Sequence, residues 1–141
     1  MGGGDGRHLE SALSVSHPNV LVVDDERLIR WSVAETLADS GYDVTEAADA
    51  RSALQAIAAP GVRTDAVLLD LSLPDSQDLT VLSAIRALSP ETPVILMTAH
   101  GTEDLCEEAR HRGAFMTLHK PFDMSELPTV VAAAVASTRV Q

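Results

Sequence analysis

Five side chains in this sequence could do chemistry together, and each stands at the end of a short apolar run. Asp24 and Asp25 follow VLVV, Asp70 follows AVLL, Thr98 follows VILM, and Lys120 follows AFMTLH. They lie far apart along the chain, so only a fold can gather them. Clustered carboxylates repel one another unless a cation sits among them. Carboxylate, carbonyl and water oxygens suit Mg²⁺, a hard ion that keeps several of its waters. A carboxylate beside such an ion can attack a phosphoryl group and become an aspartyl phosphate, with the metal offsetting charge on the transferring oxygens. Lys120 would bring a compact ammonium to a phosphate oxygen, a role planar arginine does not fill freely. Thr98 could donate a hydrogen bond to another oxygen. Each residue alone has a plainer reading. The acidic pair could cap a helix, Asp70 could open the turn toward Leu73-Pro74-Asp75, Thr98 could lie just before a helix, and Lys120 could be solvated. Pro121 could be a turn residue, with the usual trans bond expected before it. It is the joint occurrence that makes the plain readings improbable.

The elements that must position these residues are legible in the hydropathy pattern. Apolar runs at Val20–Val23, Val44–Ala47, Ala66–Leu69, Val94–Met97 and Ala114–Leu118 read as strands, several of them buried on both faces. Between them lie helical stripes: Ile29, Val33 and Leu37; Ala50, Ala53, Leu54 and Ile57; Leu79, Leu82 and Ile85; and, last, Val130 with Ala134 and Val131 with Val135. The stretch 102–112 is weaker, with Leu105 and Ala109 as its apolar pair. Gly41, Gly61 and Gly113 fall where three helices should stop. The alternation is (βα)₅, which predicts an α/β domain with a parallel sheet and helices on both faces. Ligands in such folds bind at the carboxyl ends of the strands, where the five residues stand. The second strand ends in Glu46-Ala47-Ala48-Asp49, which adds little.

Length and charge narrow the class. The chain has 141 residues, 21 acidic against 10 basic, and a formal net charge of −11. That length fits one domain, and that charge argues against nucleic-acid binding, which needs clustered Lys and Arg. Nine of the ten basic residues are Arg, so Lys120 is the one lysine. Cys106 is the one cysteine, which excludes an internal disulfide and a thiolate zinc site. No apolar run approaches the ~20 residues of a membrane span, and the first residues lack the apolar core of a signal peptide. The expectation is a soluble cytoplasmic protein with no membrane contact, a flexible tail over 1–18, a domain over 19–138, and a tail or linker start at 139–141.

Four motifs in register carry a resemblance: VLVVDDE at 20–26, LLDLSLPD at 68–75, VILMTA at 94–99 and HKPF at 119–122. The sequence resembles the CheY-like receiver domain of two-component response regulators. LIRWS at 28–32 and ILMTAHGT at 95–102 look like receivers of NtrC-type activators. The resemblance implies a strand order 2-1-3-4-5, Asp70 as phosphoacceptor, and Mg²⁺ organised by Asp24 and Asp25, with Asp25 the direct ligand. The backbone carbonyl of Ser72 would be a further ligand, Thr98 the switch hydroxyl and Lys120 the phosphate-binding lysine. A histidine kinase or phosphotransfer protein would donate the phosphoryl group. The chain would be a signalling domain, catalysing only its own phosphorylation and dephosphorylation. The face made by the fourth helix, fifth strand and fifth helix would read out the result and could form a homodimer.

The sequence departs from that pattern in places. Many receivers carry Tyr or Phe three residues before the lysine, where this chain has Thr117. Gln77-Asp78 stands where an Asp-Gly pair is common, so the third helix is expected to start differently. The resemblance implies that Ser72 and His100, two residues beyond Asp70 and Thr98, tune phosphoryl lifetime, while His100 also reads as an ordinary exposed loop residue. Phe115 and Phe122 are expected in the core, and Trp31 off the buried seam of its helix. Three other functions compete for these residues. A pseudo-receiver that only mediates protein contacts fits Thr117. A haloacid-dehalogenase-type phosphatase wants a second Asp where Ser72 stands. A nucleotide- or flavin-binding module wants a phosphate-cradling loop, where Asp24-Asp25-Glu26 would repel phosphates.

Overall fold

A computed structural model describes residues 17–139. Five strands alternate with five helices: β1 (Asn19–Val23), α1 (Arg27–Asp39), β2 (Asp43–Ala47), α2 (Ala50–Ala58), β3 (Ala66–Asp70), α3 (Thr80–Leu88), β4 (Val94–Thr98), α4 (Glu103–His111), β5 (Ala114–His119) and α5 (Leu127–Arg139). A 3-10 turn at Met124–Glu126 leads into α5. The strands form one parallel sheet in the order β2-β1-β3-β4-β5, as expected.

The sheet divides two aliphatic cores, and strand alternation explains the division. Leu21, Val23, Val67, Leu69, Val94 and Leu96 face α2, α3 and α4, packing with Ala53, Leu82, Ile85 and Ala109. Val20, Val22, Leu68, Ile95 and Met97 face the other way, onto Val33 and Leu37 of α1 and Leu127, Val131 and Ala134 of α5. β3 and β4 are buried along their whole length, which is why they read as continuous apolar runs.

Local signals set the helix ends. Asp49 caps α2, accepting from the Ser52 N–H at 2.8 Å, and Thr102 caps α4, accepting from Leu105 N–H at 3.1 Å. Asp78 accepts from the Thr80 N–H at 2.9 Å just before α3, and the residue preceding that helix, Leu79, makes no side-chain capping bond. No non-glycine residue among those described has positive φ, whereas Gly41, Gly61 and Gly113 do, at 95°, 80° and 98°. The acidic pair does not cap α1: the residue before that helix, Glu26, makes no side-chain capping bond.

Three expectations need correction or placement. The Lys120-Pro121 bond is cis, not trans. Phe115 is exposed (39%) rather than in the core, because β5 pairs Val94 with Ala114 but Ile95 with Met116. Phe115 is the residue left over at that bulge, on an edge strand. Phe122 packs partly buried against the second core, and Trp31 is exposed. Of the anticipated tail, residues 1–16 lie outside those described. Pro18 accepts a hydrogen bond from the Asp43 N–H at 3.0 Å, tying it to the start of β2. At the other end, α5 runs to Arg139, and residues 140–141 lie outside.

Candidate functional site

The parallel sheet points its strand ends one way, so β1, β3, β4 and β5 deliver their last residues to one edge. Asp24 follows β1 and is fully buried; Asp70 and Thr98 end β3 and β4 and are each 4% exposed. Lys120 follows β5 and reaches across the edge. Its Nζ lies 2.8 Å from Oδ2 of Asp24, 3.0 Å from Oε1 of Glu26 and 3.4 Å from Oδ1 of Asp70. Its backbone N–H donates to the Thr98 carbonyl at 2.8 Å, which fixes β5 against β4 where the two functional side chains depart. The side chains of Asp24, Asp70 and Lys120 therefore meet at one place, with Thr98 joined to Lys120 through its backbone carbonyl.

The cleft above them is open, about 250 Å³, and is lined in part by Asp25, Asp70, Ser72, Gln77, His100 and Lys120. Asp25 is exposed while its neighbour Asp24 is enclosed. Asp24 uses one carboxylate oxygen on Lys120 and the other on the Glu26 N–H at 2.9 Å. Asp25 is the member of the pair that faces solvent. Oxygen atoms from Asp24, Asp25 and Asp70 lie within 4.8 Å of one another. Three hard oxygen donors at that spacing, with an open side for water, fit an ion such as Mg²⁺.

Burial pushes the Asp70 carboxyl up to about 6 from 3.8, and the neighbouring Asp24 charge adds to the rise. Lys120 and the Ser72 N–H, which hydrogen-bond the carboxylate, act against it. Burial pulls the Lys120 ammonium the other way, toward losing its proton. Its hydrogen bonds to Asp24 and Glu26, and the charges of Asp24 and Asp70, outweigh that effect and hold it protonated.

Two contributors were not anticipated. Glu26 is a third carboxylate on Lys120, 94 residues away in sequence. Arg30 donates from Nη1 to the Asp24 carbonyl at 2.7 Å and from Nε to Glu46 at 2.9 Å, so β2 does contribute through a residue set aside from the sequence. Arg30 occurs in the LIRWS motif; its partners were not visible there. His100 lines the cleft, and its N–H donates to Oγ1 of Thr98 at 3.1 Å. Thr117 lies partly buried within β5, in register with Leu96.

A parallel sheet of this order, with an acidic edge and a lysine opposite, defines an α/β domain of the CheY-like fold. The family model described as response regulator receiver domain matches residues 20–132, and the chain belongs to that family. It is 36% identical over 122 residues to the DNA-binding transcriptional regulator NtrC of Escherichia coli (strain K12), covering 86% of this chain and 26% of that protein. The chain thus spans about a quarter of the length of its NtrC relatives. It is also 33% identical over 112 residues to sporulation initiation phosphotransferase F of Bacillus subtilis (strain 168), covering 79% of this chain and 89% of that protein. Among solved structures, a CheY-like receiver domain protein from Methanospirillum hungatei superposes with a TM-score of 0.82 at 25% identity, over 88% of this chain and 98% of that one. NtrX from Brucella abortus superposes at 0.79 with 36% identity, over 88% of this chain and 28% of that one.

Proposed function

We propose that residues 19–138 form a phosphoacceptor unit in which Asp70 takes a phosphoryl group from a histidine kinase or phosphotransfer protein. The observation that carries this reading is the Asp70 carboxylate itself. It is nearly buried, has Asp24 and Asp25 oxygens within 4.8 Å, and has the one lysine of the chain at 3.4 Å. Ionised above about pH 6, it is a nucleophile at neutral pH. One of its oxygens forms the new bond to phosphorus as the donor's N–P bond breaks. The donor imidazole leaves with the electron pair and takes up a proton. Asp25, Asp24, Asp70 and the Ser72 carbonyl would hold Mg²⁺, which would supply charge to offset that on the transferring oxygens. Lys120 supports a phosphoryl oxygen with its ammonium, and Thr98 donates its hydroxyl to another. Ser72 and His100, at the mouth of the cleft, control water access and so the lifetime of the acyl phosphate.

In this reading the chain is a signalling domain of the cytoplasm, and the α4-β5-α5 face shifts between two states and pairs with a second copy of the chain. Among the described residues no helix is long and apolar enough to cross a membrane. The formal net charge of −11 supports a unit that makes no nucleic-acid contact. The test is incubation with Mg²⁺ and a small phosphodonor, followed by mass mapping. One hydroxylamine-labile phosphoryl group on Asp70 is expected. Equal labelling of Asp70→Asn would overturn the assignment.

A further inference from the structure

Thr117 leaves a gap in the signalling route, since many receivers use an aromatic ring at that place. A ring does lie beside the switch loop, two residues further along β5. His119 is the register partner of Thr98, and its imidazole lies against Gly101 in the loop between β4 and α4. A Cβ placed on Gly101 would stand 2.8 Å from Cε1 and 3.0 Å from Nδ1 of His119, and 2.9 Å from Cγ2 of Thr98. The ring and the Thr98 methyl therefore both border the space that a side chain at position 101 would need. Another atom of the ring reaches α4, with Nε2 4.0 Å from Sγ of Cys106. The residue after His119 is Lys120, bound through its N–H to the Thr98 carbonyl. One imidazole thus touches the switch loop and α4, and sits next in the chain to the ammonium of the site.

We propose that His119 is a positioning residue that couples occupancy of the Asp70 site to α4, in the role many receivers give to an aromatic at the place of Thr117. The coupling is steric. A shift of Thr98 toward a phosphoryl oxygen withdraws its methyl from Gly101 and opens space on one side of the ring. The imidazole then follows the loop, and its contact with Cys106 on α4 is remade in a second packing. His119 is exposed and its contact with Cys106 is at the surface, so the two arrangements are discrete rotamers of the ring, and a small movement at Thr98 becomes a two-state change at α4. The bare glycine lets ring and methyl share this space, since a Cβ there would force one of them to shift. The inference rests on the receiver reading above.

The test is hydrogen exchange across residues 103–111, with and without beryllofluoride and Mg²⁺, in the parent, His119→Ala and His119→Phe. The parent is expected to change its α4 protection on binding. His119→Ala should bind beryllofluoride at the same stoichiometry and lose most of the change, roughly fivefold or more in the coupling constant between site and helix. His119→Phe, which keeps a ring over Gly101, should retain it. A response kept in both variants, or lost in both, overturns the proposal, as does failure of His119→Ala to bind beryllofluoride. A parent that neither binds beryllofluoride nor responds brings down the receiver reading, and this proposal with it.

Discussion

Asp70 shows what the site asks of a single carboxylate. Its raised proton affinity has a definite consequence for stability. The folded chain holds a proton on Asp70 up to about pH 6, whereas the unfolded chain releases it near 3.8. In metal-free buffer the folded state therefore binds more protons across that window, and the contribution of Asp70 to stability falls as pH rises through it. Above about pH 6 the whole penalty is present, roughly 1–3 kcal/mol once the open side of the cleft is allowed for. Asp70→Asn should then gain little over the parent near pH 4 and roughly that amount above pH 6, measured by denaturant melts with a chelator present. Lys120→Arg is a second test at this scale. It preserves charge, yet the planar fork cannot satisfy three carboxylates from one atom as Nζ does. It should impair the response to beryllofluoride, read by exchange across α4; an unchanged response would mean that a charge of any shape suffices. The principal site residues were legible because each ends an apolar run. Glu26 and Arg30 were not, since their partners are set by tertiary approach and leave no local pattern. The cis bond at Pro121 has no local signal either, because the residue types on each side suit both isomers.

At the scale of elements, two glycines with the same backbone separate conformational from packing costs. Gly41 and Gly113 have φ of 95° and 98°; a Cβ at Gly41 meets nothing within 4 Å, whereas one at Gly113 lies 2.8 Å from Nε of Arg86. Gly41→Ala should cost about 1–2 kcal/mol, the penalty for a side chain in the left-handed region. Gly113→Ala should cost more, because Arg86 also donates to the Thr92 carbonyl at 2.7 Å and is not free to move aside. Equal losses in thermal melts would show that Arg86 yields without cost. Asp75 also acts at this scale. Its carboxylate accepts from Ala50 N–H at 2.8 Å and Arg51 N–H at 3.1 Å, so the loop after Asp70 is tied to the start of α2 beside the Asp49 cap. The strands and helices were readable because burial on one or two faces imposes its period directly. Phe115 was not, since a bulge changes the facing of a residue without changing its neighbours in sequence. The turn at Met124–Glu126 had a signal in Asp123, whose carboxylate accepts from the Ser125 N–H at 3.0 Å; it lay outside the apolar stripes.

Across the whole molecule, a net charge of −11 means that a divalent cation bound in the proposed site would stabilise the fold as well as serve the chemistry. Saturating Mg²⁺ should raise the melting temperature, corresponding to about 2.7 kcal/mol at a hundredfold excess over its Kd. Asp25→Asn should lose most of that gain with little change in the metal-free melt, since Asp25 is exposed. An equal Mg²⁺ shift in Asp25→Asn would remove it from the metal shell. The (βα)₅ architecture was open to sequence reading because alternation of runs and stripes is a property of the entire chain. The division of helices between the two faces, α1 and α5 on one and α2 to α4 on the other, came with the strand order. The lone lysine offers one more use. A lysine-selective isotope label would place one side-chain reporter in the chain, and that reporter already rests among Asp24, Glu26 and Asp70. Its resonance would follow the exchange of carboxylate for phosphoryl oxygen in real time, with no engineered probe and no background from a second lysine.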